Sequence, residues 1–301
     1  MNHAAEKHED TVCLMAPRKI VLTASLVLAA ALALHSGEVK PSVQRTVKVK
    51  VAIDEEFRQR PLQWLKAERW VSTASQFFET NFGLSFKISE FKSWTSDNSK
   101  TALPGLLQNL YEKVGRGKSD IVLGFTGQIQ RDSVATGVAS YRHGYALVKR
   151  MKNEYVTALT VVHELCHLFG AVDLEKEVSV MNEDEPCLEC DEFTRRIVRL
   201  HLGRGFDPEV FPLSAEHMGS ARDLYLARKE LHRREAGVPI MLTIIYLEMK
   251  DYEKAVQECA EAEKLAPRDP MIQELLRLVS QKEKEVPTPP QSRDLRKTPR
   301  R

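Results

Sequence analysis

The residue types best suited to chemistry gather in one stretch, HELCHLFGAVD, from His163 to Asp173. His163 and His167 are four residues apart, so on a helix their imidazoles lie on one face, a turn apart, and can converge on one metal ion. Glu164, beside them, is placed to act as a general base that takes a proton from an attacking water and returns it to a leaving amine. Two histidines do not complete a site, because a catalytic zinc takes three protein ligands and keeps one position open. Gly170 can adopt positive φ, end the helix and turn the chain back toward the metal, which makes Asp173 the natural third ligand. Eight residues on, the segment SVMNE puts Met181 where a tight turn can run beneath the metal.

The helix, the glycine, the third ligand ten residues after the first and the later methionine together resemble the metzincin clan of zinc endopeptidases. The usual third ligand there is histidine. Asp173 in its place resembles the small secreted snapalysins, within an otherwise matrixin-like pattern. The resemblance implies one catalytic Zn2+ held by His163, His167 and Asp173, Glu164 as the base and Met181 in the methionine turn. A carboxylate ligand leaves the metal less positive than three histidines would, so water bound to it is less acidic. The tyrosine that follows the methionine in some branches of the clan is not evident.

Other readings fit parts of the same pattern. In a thermolysin-like arrangement Glu189 or Glu192 would be the third ligand, which leaves Gly170 without a purpose. A buried helix with two hydrogen-bonded histidines needs no metal at all. At the level of function, the alternatives to a peptidase are a protein-binding module with a structural or inactive zinc site, which the presence of Glu164 argues against, and a zinc hydrolase of small amides.

The elements that must position these residues are legible in outline. VKVKVAI, Val47 to Ile53, alternates apolar and charged residues as a half-buried strand does. Leu62 to Phe82 has helical spacing and stops at Gly83. LSFKISEF is a second strand, Leu106 to Val114 a further helix, and DIVLGFTG a strand buried on both faces. Strand, helix, strand, helix, strand is the order a metzincin N-terminal subdomain would supply. In that clan the strand before the active-site helix lies at the sheet edge and holds substrate by main-chain hydrogen bonds. Gly137, Val138, Ala139, Ser140 and Tyr141 are the candidates for it, within a segment that extends to Tyr145. His143 reads as a histidine exposed on that strand, and Tyr141 and Tyr145 read as packing residues. Asn153 is placed to cap a helix from about Glu154 to Phe169, whose β-branched residues require burial to hold it. Glu192 to Leu202 is then a closing helix, ended by Gly203 and Gly205.

Beyond the motif, the chain has 301 residues and a net charge of +2 with 29% charged residues, an ordinary soluble surface rather than that of a nucleic-acid binder. Arg18 and Lys19 precede an apolar run, Ile20 to Leu34, followed by His35, Ser36 and Gly37. That is the pattern of a signal peptide or an N-terminal membrane anchor, which predicts an exported protein, secreted or periplasmic, or one anchored in the membrane with its catalytic domain outside. Cys13 precedes the run and would stay inside. Cys187 and Cys190 are spaced to close a small disulfide loop in an oxidising compartment, and Cys166 reads as a packed core thiol.

Near the C-terminus, IYLEMKDYEKAVQECAEAEKLAPRDP resembles one tetratricopeptide repeat, with Ala255 and Ala262 allowing two helices to approach and Pro267 ending the second. Ser214 to Glu235 and Met271 to Lys284 read as flanking helices. The expected organisation is α+β: a signal peptide or anchor over 1–37, a linker over 38–46, a zincin domain with a mixed twisted sheet over 47–212, an all-α helical-repeat region over 213–284 and a disordered basic tail over 285–301. The expected partners are a peptide or protein substrate and a protein bound through the repeat-like region, with a membrane engaged through residues 20–34.

Overall fold

A computed structural model of the chain describes residues 43–59, 61–128, 135–182, 184–267 and 269–285. Strand β1, Arg45–Ile53, is second in a five-stranded sheet of order β2-β1-β3-β5-β4. The other strands are β2, Leu84–Ser93; β3, Ile121–Thr126; β4, Gly137–Ser140; and β5, Tyr145–Lys149. β1 runs parallel to β2 and β3, β3 is parallel to β5, and β4 closes the edge antiparallel to β5. The sheet is therefore mixed, in an α+β arrangement.

The alternation in β1 suggests one solvated face, yet every residue from Val49 to Ile53 is buried. Helices cover both faces. Val49, Val51 and Ile53 pack with helices α2, Gln63–Phe82, and α4, Glu154–Leu168, whereas Ala52 packs with α3, Leu103–Lys113. Lys50 is buried with the rest, and its ammonium is satisfied by Glu90 at 3.0 Å and by the carbonyl of Gly115 at 2.7 Å. A one-turn helix, α1, Glu55–Arg58, follows β1 and is capped by Asp54.

Helix α4 starts at Asn153, whose side chain accepts a hydrogen bond from Tyr155 N. Thr157, Thr160, Val161 and Val162 are poor helix formers in isolation because branching at Cβ restricts their rotamers. All four are buried here, against α2, β4 and β5, so tertiary packing supplies what local propensity lacks.

Among the described residues five helices follow the histidine stretch: α5, Glu192–Leu200; α6, Ala215–Leu231; α7, Gly237–Glu248; α8, Tyr252–Leu265; and α9, Pro270–Glu285. α5 ends at His201, ahead of the two glycines expected to stop it. The helix expected over Ser214 to Glu235 stops at Leu231, which leaves Glu235 in the connection to α7. Ala255 and Ala262 are buried on α8, against which α7 and α9 pack. Among the described residues no helix is long and apolar enough to cross a membrane. The Ile20 to Leu34 run, Cys13 and the tail from residue 286 lie outside the described residues.

Candidate metal centre

The last two turns of α4 and the loop after it bring three candidate ligand atoms together. His163 Nε2 and His167 Nε2 are 3.0 Å apart, and Asp173 Oδ1 lies 3.0 Å from the first and 3.2 Å from the second. The chain reverses between them at Gly170, whose φ is +83°. Gly170 N donates to His167 O at 3.0 Å and Ala171 N to Cys166 O at 3.1 Å, the paired bonds of a helix that ends in a left-handed residue. A side chain at position 170 is excluded twice, by this φ and by the buried ring of His201, whose Cε1 would lie 2.5 Å from a methyl group there.

Backbone carbonyls orient both imidazoles. His167 Nδ1 is 2.9 Å from Ala171 O, and His163 Nδ1 is 2.9 Å from Val180 O. A carbonyl only accepts, so each Nδ1 carries the proton and each neutral ring presents an Nε2 lone pair to the centre. Two such lone pairs 3.0 Å apart beside the inaccessible Asp173 Oδ1 would repel one another unless positive charge lies among them. Such a set calls for a cation. Its spacing is close to the separation of about 3.3 Å between ligands of a tetrahedral zinc with bonds of 2.0–2.1 Å.

Without a metal, protons on the rings would supply that charge. Burial opposes charge on both imidazoles, but Asp173 outweighs it, raising the pKa of His163 and pushing that of His167 up to about 10. Burial also opposes charge on Asp173, yet the two histidines hold its carboxyl well below the usual range. A metal would take the place of those protons.

Glu164 is 4% exposed, and its carboxylate joins the two histidines in a cluster whose ligand atoms lie within 4.8 Å of one another. It rests against the first residue of β4. A methyl group in place of the Gly137 hydrogen would come within 2.6 Å of Glu164 Cγ and 2.7 Å of its Cδ. Gly137 thus makes room for the carboxylate, and the sequence hint is a glycine at the start of a strand, which often marks close approach.

Met181 is fully buried in a turn closed by Asn182 N to Ser179 O at 3.2 Å. Leu174 N donates to Met181 O at 2.9 Å, and Ser179 Oγ fixes the turn by accepting from Met181 N at 3.1 Å and bonding Asp191 Oδ2 at 2.6 Å. Glu189 and Glu192 are exposed, and Glu192 pairs with Arg195.

Gly137 to Ser140 form β4, but Tyr141 belongs to the turn after it, because the chain folds back at Gly144 to enter β5. Its hydroxyl donates to His201 Nε2 at 2.8 Å, and the Arg204 guanidinium lies 4.7 Å over its ring. His143 is in the same turn rather than exposed on a strand; it contacts Ser140 Oγ at 2.8 Å and the ring of Tyr111. Tyr145 is buried and donates to Val114 O. Cys187 and Cys190 are separate thiols, and burial pushes the pKa of Cys190 up to about 12. Cys166 is fully buried, facing the core behind the ligands. Missing from the sequence reading were the carbonyls of Ala171 and Val180, which any residue type could supply and no side chain announces.

Comparison with known proteins bears on this geometry. Residues 43–192 match a family model described as metallo-peptidase family M12, Reprolysin_5. No curated protein matches the chain. Among solved structures, archaemetzincin from Methanopyrus kandleri is similar at 17% identity and a TM-score of 0.40, over 51% of this chain and 94% of that one. Metalloproteinase-II from Bacteroides fragilis is similar at 12% identity and a TM-score of 0.34, over 62% of this chain and 55% of that one. The family match, which spans the sheet, the histidine pair and the turn at Met181, supports a metallopeptidase.

Proposed function

We propose that the chain is a zinc-dependent endopeptidase whose metal is held by His163, His167 and Asp173. The observation that carries this reading is the convergence of two Nδ1-protonated imidazoles and one carboxylate oxygen within 3.2 Å of each other. Zinc at that position would supply the Lewis acidity that polarises a scissile carbonyl. Glu164, inside the same cluster, takes the proton of the attacking water on its carboxylate and passes it to the leaving nitrogen. Ala171 O and Val180 O fix the imidazole planes, so the ligands need no reorganisation when the metal arrives.

An extended peptide is the substrate class that best suits the surroundings. β4 ends the sheet immediately beside Glu164, and among the described residues no strand pairs with its outer side. A peptide laid along Gly137 to Ser140 would complete the ladder with main-chain hydrogen bonds. A small amide would leave those groups unused. Export or membrane anchoring through Ile20 to Leu34, oxidation of the separate Cys187 and Cys190 thiols to a disulfide in an oxidising compartment, and a protein partner for the tetratricopeptide-like helices belong to the same proposal.

The test compares the parent with Glu164→Gln for zinc content and for cleavage of a mixed peptide library and of small amides. One zinc in each, with peptide cleavage by the parent alone, is the expected result. Zinc in both without cleavage by either would move the function to the helical segment.

A further inference from the structure

The loop from Gly170 to Glu177 carries Asp173 and is gripped from outside by the C-terminal helices. Tyr225 of α6 is fully buried and donates from its hydroxyl to Gly170 O at 2.5 Å. One turn later Arg228 holds Glu177 through two bonds, Nη1 to Oε1 at 2.6 Å and Nη2 to Oε2 at 3.1 Å. The same guanidinium grips buried Glu235, with Nε to Oε2 at 2.7 Å and a second bond from Nη2 to Oε1. Glu235 in turn accepts from Glu175 N at 3.4 Å. Gly237, at the start of α7, packs so closely on Val172 that a methyl group there would lie 2.9 Å from Val172 Cβ. Every fixture in this set falls within three or four residues of Asp173, on both sides of it. The described residues from Val43 onward also cluster as one compact unit.

We infer that Tyr225 and Arg228 are positioning residues for the third metal ligand, which makes the first helices of the C-terminal segment a working part of the metal centre. The inference rests on the zinc reading above. Its physical basis is the difference between the ligands: the histidines sit on a packed helix, whereas a loop carboxylate keeps its place only if the loop has few alternatives. Tyr225 fixes the loop where it leaves α4, and Arg228 fixes it four residues past the ligand. The Tyr225 bond is buried, and the Arg228 ion pair is buried at its guanidinium end and only partly exposed at Glu177, so water replaces the first only by opening the interface and competes weakly for the second.

The test uses the zinc-loaded full chain and follows zinc loss to a chelator, alongside thermal unfolding. Tyr225→Phe keeps the ring and deletes the donor. Glu177→Gln keeps the loop side chain and weakens its ion pair, which avoids stranding Glu235 as Arg228→Met would. Both should release zinc about fivefold faster than the parent, the effect of losing roughly one buried hydrogen bond. Ile272→Ala, in the α9 core away from the loop, should lower the melting temperature and leave the zinc-loss rate of the folded protein unchanged. Parent-like zinc loss in Tyr225→Phe and Glu177→Gln, or equal acceleration by Ile272→Ala, would overturn the inference while leaving the zinc site standing. A parent that binds no zinc would instead overturn the zinc reading and this inference with it.

Discussion

The two histidines are oriented in the same way but from different distances along the chain. His167 takes its carbonyl from Ala171, four residues on, and His163 takes its own from Val180, seventeen residues on. The first contact is a by-product of ending the helix: once Gly170 adopts positive φ, Ala171 O has little choice of position. The second depends on a turn that other groups must hold, Ser179, Asp191 and the buried Met181 among them. One half of the centre is built by local geometry and the other by tertiary contacts, so the two should fail differently.

The sharpest break in the local half is Gly170→Ala. The substitution meets both an unfavourable backbone conformation and the His201 ring, and it should cost about 3 kcal/mol or more of stability. Urea unfolding gives that figure, and zinc content should fall with it.

His201 itself offers a second test through pH. It is fully buried, donates from Nδ1 to Ile197 O at 2.8 Å and accepts from the Tyr141 hydroxyl, and burial pushes its pKa down from 6.5 to about 3. The unfolded chain therefore takes up a proton that the folded chain refuses. Above pH 6.5 this contribution to stability is complete; it is lost as the pH falls toward 3, at up to about 1.4 kcal/mol per pH unit. Denaturant melts of the parent and His201→Gln across that window should differ in slope, and identical slopes would remove His201 from the explanation.

Gly137→Ala probes the contact between β4 and Glu164, the proposed base. The added methyl group pushes on Glu164, so kcat should drop about tenfold with KM and zinc content nearly unchanged, because in the proposed mechanism the displaced group transfers the proton and does not bind the metal. The smallest effect belongs to the distant half. Ser179→Ala removes the hydroxyl that accepts from Met181 N and bonds Asp191, and should cost about 1 kcal/mol while loosening the carbonyl on His163. Calorimetry and zinc affinity together separate those two consequences.

The same contrast explains what could be read from sequence. Asn153 as a cap, Gly83 and Gly170 as helix ends and the shared face of His163 and His167 are short-range matters, settled by residue type and spacing. β1 was harder to read because its alternation says nothing about α3 lying across the second face. Tyr141 looked like strand because the sequence does not mark where β4 turns, and the turn depends on Arg204, which bonds Tyr141 O at 2.7 Å and also reaches Leu168 O. The bracing of the ligand loop by Tyr225 and Arg228 joins residues more than fifty positions apart, and neither residue carries a motif.

The ligand set is tested most directly by zinc stoichiometry and affinity in the parent, Asp173→Ala and Glu164→Gln, each checked for folding by circular dichroism. One zinc per chain in the parent and in Glu164→Gln, with affinity in Asp173→Ala reduced at least about a hundredfold, is the result expected if Asp173 completes the site. Parent-like zinc affinity in folded Asp173→Ala would contradict it and return the third ligand to another residue.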